Sequence, residues 1–264
     1  MDSLTQDRLA ARLSQGKSAR HFQFFEQVDS TQDLALAWLR QEPGLHVGSA
    51  IVGDEQLKGR GRHGRTWYTP PGVALAVSVI LKPAPQALSQ VTMLGALAIA
   101  EMIDALAADA PLQPAVTIKW PNDVRLDGRK VSGVLPEAEW RGGDLLGVSL
   151  GMGINVRVDF TGSPLADTAV SIEPALGKTI DRAEAVALLL ERVDHWAVRL
   201  GTQTLFHAWR SRLETVGRTV TVEGISGRAE GVRSDGALLL RDDAGNLHTM
   251  IAGDLIEQEG GRPS

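Results

Sequence analysis

The chain has 264 residues, enough for one large domain or for one large and one small domain. It contains no cysteine, which excludes disulfides, thiol catalysis and zinc–thiolate sites. A formal net charge of -5 argues against a general nucleic-acid binder, because binding to phosphates requires a basic face. Residues 1–22 lack the apolar core of a secretory signal and a span long enough for a bilayer, so we expect a cytoplasmic protein without membrane contact.

The N-terminal half of the sequence predicts alternating helices and strands. The first twenty residues are helix-prone. Asp29, Ser30 and Thr31 are candidate N-caps of a helix that Pro43 and Gly44 end. Three elements follow in chain order: a strand within 46–56, a buried Val- and Ile-rich strand within 72–83 and a long core helix within 86–109.

The C-terminal half predicts strands, then helices, then a run of short strands. Strands are expected within 115–120, 123–140 and 145–156, and amphipathic helices within 181–200 and 204–214. Asp127 and Gly128 give a hairpin signal. Short strands then follow within 218–223, 227–234, 237–243 and 247–258, which suggests a small barrel of about fifty residues. We therefore expect two domains, residues 1–213 and 214–264, with the boundary near Leu213.

Residues 59–67, GRGRHGRTW, form a segment that we call the Gly/Arg loop. Its glycines let the backbone approach a ligand, and its arginines offer permanently charged donors to carboxylates and phosphates. We expect an anionic ligand and a loop that is mobile without it, because three glycines lie among mutually repelling cations. It is not a Walker A loop. On this segment alone, a solvated basic turn or an RNA contact is an equally good interpretation.

A second group of polar residues follows Pro121, which favours an extended conformation before it. Asn122 and Asp123 come next at a tight turn, and such a pair can hold a metal–phosphate or accept a proton from an amine. Lys130 follows a hairpin turn and could hold a carboxylate and a phosphate together. Asn155 lies in a glycine-flanked turn, where its amide could contact a purine edge. Singly, each residue is more often a turn residue or a surface side chain.

These segments belong to an ordered set of five motifs. The motifs are DST at 29–31, GRGRHGRTW at 59–67, KWPNDV at 119–124, GRKVSGVLPE at 128–137 and GMGINV at 151–156. The set resembles that of the biotin protein ligases, in particular the bacterial biotin–[acetyl-CoA-carboxylase] ligases, over roughly residues 25–258. The C-terminal DGALLL and GDL fit the small end domain of that family. The Gly/Arg loop followed by KWPND is the most specific part of the resemblance.

The resemblance implies a fold and a reaction. The fold is α+β, with a mixed-sheet catalytic domain similar to that of class II aminoacyl-tRNA synthetases, followed by a small SH3-like β-barrel. In the first reaction step, biotin and ATP, with Mg2+ on the ATP phosphates, give biotinyl-5'-AMP and pyrophosphate. In the second step, a specific lysine of the biotin carboxyl carrier protein domain of acetyl-CoA carboxylase attacks, which gives an amide and AMP.

The family pattern also assigns site residues. Those expected to be catalytic are Lys130, Arg62 and Asp123. Those expected to bind biotin are Ser30, Thr31, Gln32, Gln56, Gly59, Arg60, Gly61, Arg62, Trp67, Lys130 and Gly133. Those expected to bind ATP or the adenylate are Arg62, Arg65, Trp67, Asn122, Lys130 and Asn155. No metal ligand is assigned to the protein itself.

The expected roles follow from the chemistry of the substrates. The ureido ring of biotin has two N–H donors and one carbonyl, which suit Ser30, Thr31 and Gln56, and the same Ser-Thr pair can also cap a helix. The biotin carboxylate and the α-phosphate repel each other, and cations must offset that repulsion and stabilise the pentacovalent phosphate. The basic residues of the pattern supply this charge. Trp67 is expected to line the valeryl chain or to pack the loop base, and Asp123 to receive the acceptor lysine.

Four positions depart from the family pattern. Gln32 replaces the usual Asn, so its polar contact is expected to persist with a longer reach. His63 lies where Arg is common, and Ser132 replaces a usual Ala. Pro136 interrupts a usually aliphatic strand, which leaves the local strand pairing open. None of the four removes a group that the mechanism needs.

Three other functions remain open from the sequence. The first is a ligase for lipoate or another small carboxylate, which would need the lysine but not the ureido-contacting residues. The second is a ligase that also represses transcription, but family members of that kind carry an additional N-terminal winged helix, so we expect no DNA binding. The third is a non-enzymatic biotin- or RNA-binding protein. The oligomeric state is also open, a homodimer included.

Overall fold

The structure is a computed structural model that describes residues 4–15, 21–42, 44 and 46–257. Within these ranges the chain forms six α-helices: α1 (Gln6–Gln15), α2 (Thr31–Gln41), α3 (Gln90–Ala107), α4 (Ile172–Leu176), α5 (Arg182–Ala197) and α6 (Gln203–Ser211). The helices expected in the first twenty residues and within 86–109, 181–200 and 204–214 are confirmed. Helix α2 ends at Gln41, and Pro43, part of its expected stop signal, lies outside the described residues.

The larger sheet has seven strands and is mixed, as expected. Its strands are β1 (Phe22–Val28), β2 (Ala50–Gln56), β3 (Ala74–Leu81), β4 (Val116–Lys119), β5 (Asp123–Leu126), β6 (Arg129–Arg141) and β7 (Asp144–Asn155). Their spatial order is β1-β2-β3-β7-β6-β5-β4. Strands β1 and β2 run parallel, and every other pair is antiparallel. Strand β1 was not expected from the sequence.

The second sheet is antiparallel and lies in the C-terminal part of the chain. Its strands are β8 (Thr219–Val222), β9 (Ile225–Val232), β10 (Leu238–Arg241), β11 (Leu247–Met250) and β12 (Leu255–Glu257), in the order β11-β10-β9-β8-β12. The expectation of a single strand within 247–258 is wrong. The chain leaves β11 after Met250 and turns at Gly253, whose φ of +141° is accessible to glycine but rarely to other residues. Gln258 lies outside the described residues.

Helices cover both faces of the seven-stranded sheet. Helix α3 packs on one face, and Gly95 allows a close approach, since a Cβ there would lie 2.7 Å from Val134 and 2.9 Å from Leu150. This helix is long and apolar enough to cross a membrane, but 78% of it is buried inside the protein, so the expected core role is confirmed. Helix α2 packs on the opposite face, where Gln32 contacts Gly151 of β7. The α2 face carries the site described below.

Pro136 does not interrupt β6. It lies opposite Leu150 of β7, and the ladder continues on both sides of it. The Val134 amide donates to Asn122 on the β5 side of the strand at 3.2 Å. Amides two residues apart point the same way, so the N–H that Pro136 lacks would point to that side. Strand β5 pairs with β6 only as far as Gly133, so the missing donor has no strand opposite it.

Candidate active site

A cavity of about 570 Å³ lies on the α2 face of the large sheet. Its walls come from β6, β7, the start of α2, the Gly/Arg loop and residues 253–256 of the C-terminal part. It brings together every residue assigned to the site from the sequence except Gly59. Gly59 lies behind the wall, where its carbonyl accepts from the Trp67 amide at 2.9 Å. A Cβ on Gly59 would lie 2.2 Å from the Trp67 carbonyl oxygen, so glycine there lets the loop close on itself.

Glycines make the floor of the cavity. Successive residues of a strand point to opposite faces, so Gly151, Gly153 and Asn155 of β7 share the cavity side. A Cβ on Gly153 would lie 2.3 Å from the Trp67 ring, and one on Gly151 would lie 2.6 Å from the Gln32 side chain. The ring of Trp67 therefore lies directly against the bare backbone of Gly153. It forms an apolar wall at the centre of the cavity.

The inner end of the cavity is polar and lies at the start of α2. Ser30 is the N-cap residue of α2, but its side chain makes no capping bond, so the expected capping role is not realised. Its buried hydroxyl has no hydrogen-bond partner among the described residues, and neither does the buried Nε1 of Trp67. Thr31 donates from its amide (3.0 Å) and its hydroxyl (3.2 Å) to Gln56 Oε1. The inner end of the cavity thus combines the Ser30 hydroxyl with the hydrogen-bonded Thr31–Gln56 pair.

Gln32 is buried, and its amide is fully engaged by the protein. Its Nε2 donates to the Leu135 carbonyl at 2.8 Å and to Glu137 Oε2 at 2.9 Å. Its Oε1 accepts from Ser78 at 3.2 Å and from Ser149. The longer side chain therefore reaches across to the sheet and supports the inner end of the cavity.

The opposite end of the cavity is charged. Lys130 forms an ion pair with Asp123, with Nζ 2.8 Å from Oδ1, and its Nζ lies 5.6 Å from the centre of the Trp67 ring. Arg62 donates to Asn122 Oδ1 at 3.1 Å, and Asn122 Nδ2 donates to the Val134 carbonyl at 2.8 Å. The ammonium group of Lys130 and the carboxylate of Asp123 thus lie side by side at the mouth of the cavity.

Two of the three arginines of the Gly/Arg loop, Arg60 and Arg65, are paired with acidic groups, and Arg62 donates to neutral oxygens. Arg60 lies 2.9 Å from Asp33 and 2.8 Å from Glu137. Arg65 pairs with Asp254, and Arg62 donates to the Gly253 carbonyl at 3.2 Å. The loop is therefore held closed, on one side by α2 and β6 and on the other by the C-terminal part of the chain.

Lys119 is a basic residue of the cavity wall that the sequence analysis did not select. It ends β4 and lies opposite Asp123 in the β4–β5 ladder. Burial, followed by the charge of Arg125, lowers the pKa of Lys119 below its usual value. Lys119 is the first residue of the KWPND motif, and its place in that motif is the signal by which the sequence could have identified it.

The segment between β7 and α4 is a second contributor that the sequence did not indicate. Its lining residues are Phe160, Leu165, Thr168 and Ala169. The Lys130 amide donates to the Thr168 carbonyl at 2.8 Å, and the Val170 amide donates to the Lys130 carbonyl at 2.9 Å. This segment is thus fixed to the backbone of Lys130. Asn155 Nδ2 donates to the Val170 carbonyl at 3.3 Å, which places Asn155 beside the same segment. Among the described residues, no three His, Asp or Glu side chains cluster as a metal site.

The sequence model of the biotin/lipoate A/B protein ligase family matches residues 24–155, which contain α2, the Gly/Arg loop and the floor of the cavity. The chain therefore belongs to that family.

Biotin protein ligases are among the proteins that the chain resembles. The chain is 35% identical over 231 residues to the biotin–[acetyl-CoA-carboxylase] ligase of Paracoccus denitrificans, a match that covers 83% of this chain and 93% of that one. It is 29% identical over 259 residues to the ligase of the same name from Mycobacterium tuberculosis, covering 91% and 90%. The solved structure of the Aquifex aeolicus biotin protein ligase in complex with biotin and ATP is similar, with a TM-score of 0.75 and 27% identity, covering 90% and 99%.

Proposed function

We propose that the protein is a biotin protein ligase that activates biotin with ATP to biotinyl-5'-AMP and transfers it to a lysine of a biotin carboxyl carrier protein. One observation carries this proposal. The cavity has a polar inner end at Ser30, an apolar centre at Trp67 and a cationic mouth at Lys130. Biotin has the same order of groups, a ureido ring, an aliphatic chain and a carboxylate. The names of the relatives support the same substrate.

The first step is an attack of the biotin carboxylate on the α-phosphorus of ATP, and pyrophosphate leaves. Lys130 and Arg62 would offset the repulsion between the two anions and hold the charge that develops on the pentacovalent phosphorus. Magnesium would arrive with the ATP phosphates as part of the substrate. Asn155, Asn122 and Arg65 would contact the nucleotide.

The second step is an attack of a neutral lysine amine on the carbonyl carbon of the mixed anhydride. The C–N bond forms, the bond to the AMP oxygen breaks, and AMP leaves with its electron pair. Asp123 would accept the proton that the amine loses, since its carboxylate lies at the mouth of the cavity. Its partner Lys130, 2.8 Å away, holds the carboxylate in place.

The remaining expectations belong to the same proposal. The chain would divide near Leu213 into a catalytic part, residues 1–213, and a C-terminal part, residues 214–264. The acceptor would be the carrier domain of acetyl-CoA carboxylase, and the compartment would be the cytoplasm.

The experiment that tests this function is ATP–pyrophosphate exchange with biotin, lipoate or octanoate as the acid. We expect exchange with biotin at micromolar concentrations and little exchange with the two acids that lack a ureido ring. Labelling of a purified carrier domain by biotin and ATP tests the second step. Preferred exchange with lipoate or octanoate would establish the alternative acid ligase, and no exchange with any acid would exclude adenylation.

A further inference from the structure

Hydrogen bonds connect the inner end of the cavity to the Gly/Arg loop through a residue outside the cavity wall. Glu137 is on β6, and its Oε2 accepts from Gln32 Nε2 at 2.9 Å and from the Arg60 guanidinium at 2.8 Å. Gln32 and Arg60 both line the cavity. One carboxylate oxygen thus joins the floor at the inner end to the loop that covers the ligand.

We propose that Glu137 is a positioning residue that couples occupation of the inner end of the cavity to closure of the Gly/Arg loop, an inference that rests on the proposed function. Gln32 has little freedom to move, because Ser78 and Ser149 hold its Oε1 and the Leu135 carbonyl holds its Nε2. A ring seated against Gln32 would instead exclude water from the hydrogen bond between Gln32 and Glu137, which strengthens the electrostatic contacts of that carboxylate. The amide fixes the Glu137 oxygen on which Arg60 docks, so a filled inner end favours a closed loop.

Charge indicates that Arg60 anchors the loop rather than the ligand. Its guanidinium has two carboxylates within 3.0 Å, those of Glu137 at 2.8 Å and Asp33 at 2.9 Å, so its charge is already offset. The Glu137 side chain is 31% exposed and that of Asp33 is 52% exposed. The contact with Glu137 is therefore less screened by water and is the stronger of the two. Asp33 does not contact Gln32 through any described hydrogen bond, so it can hold the loop without responding to the ligand.

The test is Glu137→Gln in the full-length protein. The substituted amide keeps the shape of the side chain but loses its charge. Either it turns an NH2 group toward two donors, or it offers a neutral carbonyl oxygen to Arg60 in place of an ion pair. We expect the KM for biotin in pyrophosphate exchange to rise about 5- to 10-fold, where tenfold corresponds to about 1.4 kcal/mol. We expect biotinyl-5'-AMP to escape from the enzyme faster by a similar factor. The exchange kcat at saturating biotin should stay within about 2-fold, because Lys130 and Arg62 are untouched.

The matched control is Glu139→Gln. Glu139 is two residues further along β6, forms its own ion pair with Arg40 at 2.9 Å and does not line the cavity. Its variant should keep the KM for biotin and the escape rate of the wild type. Equal changes in both variants would indicate general weakening of β6 and overturn the inference.

A double-mutant cycle with Arg60→Gln identifies the route of the coupling. If the connection runs through Arg60, Glu137→Gln should have little further effect on adenylate escape in the Arg60→Gln background. Unchanged KM and escape in Glu137→Gln, in an enzyme that is active with biotin, would overturn this inference alone. A wild-type protein without biotin-dependent exchange would overturn the proposed function and the inference with it.

Discussion

Replacement of Lys130 by alanine should separate catalysis from folding. The Lys130 ammonium lies 2.8 Å from Asp123 and 5.6 Å from the centre of the Trp67 ring, where a carboxylate and a phosphate would meet. Loss of one preorganised donor of this kind costs about 10²- to 10³-fold in rate, or roughly 3–4 kcal/mol of transition-state stabilisation. The side chain is 35% exposed and fills no core space, so the free energy of unfolding should fall by less than about 1 kcal/mol.

The assay compares two measurements on Lys130→Ala. Calorimetric biotin affinity without ATP should weaken less than pyrophosphate release does, because the polar inner end of the cavity is unchanged. Lys58→Ala is the control, since Lys58 also forms a lysine–aspartate ion pair, at 2.7 Å from Asp29, but does not line the cavity. Pyrophosphate release by Lys130→Ala within about threefold of the wild type would refute the reasoning and leave the arginines to carry the charge.

Three further outcomes are expected. Arg62→Gly should keep part of the adenylation activity but release biotinyl-5'-AMP, because it removes the contacts of the loop with Asn122 and Gly253; labelling confined to the carrier domain would contradict this. Limited proteolysis should cut within residues 60–65 of the apo protein, because the ion pairs of Arg60 and Arg65 are exposed and hold the loop only weakly. Biotin with ATP should suppress the cut, and equal cutting in both states would rule out loop ordering. A mobility-shift assay at moderate salt should detect no operator binding by this acidic protein; nanomolar sequence-specific binding would exclude a function limited to ligation.

Local sequence signals predicted most elements of the fold, but not those that depend on distant partners. Long apolar runs marked β3 and α3, because these two elements are buried along nearly their whole length. The residues of β1 show no regular alternation of apolar and polar side chains. This segment becomes a strand because it pairs in parallel with β2, which follows it in the chain only after the whole of α2. The break between β11 and β12 has a similar cause. Gly253 and Asp254 turn away from the sheet toward Arg62 and Arg65, more than 180 residues earlier in the chain.

Contacts within the site were predictable where neighbouring motifs supply both residues. They were unpredictable where the second residue is remote in the chain. KWPNDV and GRKVSG follow one another through a hairpin, so the Asp123–Lys130 pair lies within a single local structure. The carboxylates that hold the Gly/Arg loop come from α2, β6 and the C-terminal part of the chain. No spacing in the sequence pairs Arg60 with Glu137, because 77 residues separate them and only the tertiary fold brings them together.

The glycines of β7 have a consequence for the size of the acid that the protein can accept. A strand advances about 3.3 Å per residue, so Gly151 and Gly153 lie about 7 Å apart on one face of β7. The Gln32 side chain occupies the space that a Cβ on Gly151 would need, and the Trp67 ring occupies the space of a Cβ on Gly153. A methyl group added at either position would push that side chain into the cavity and leave less room for the acid. The backbone of β7 thus sets the space left for a ligand through the two side chains that it lacks.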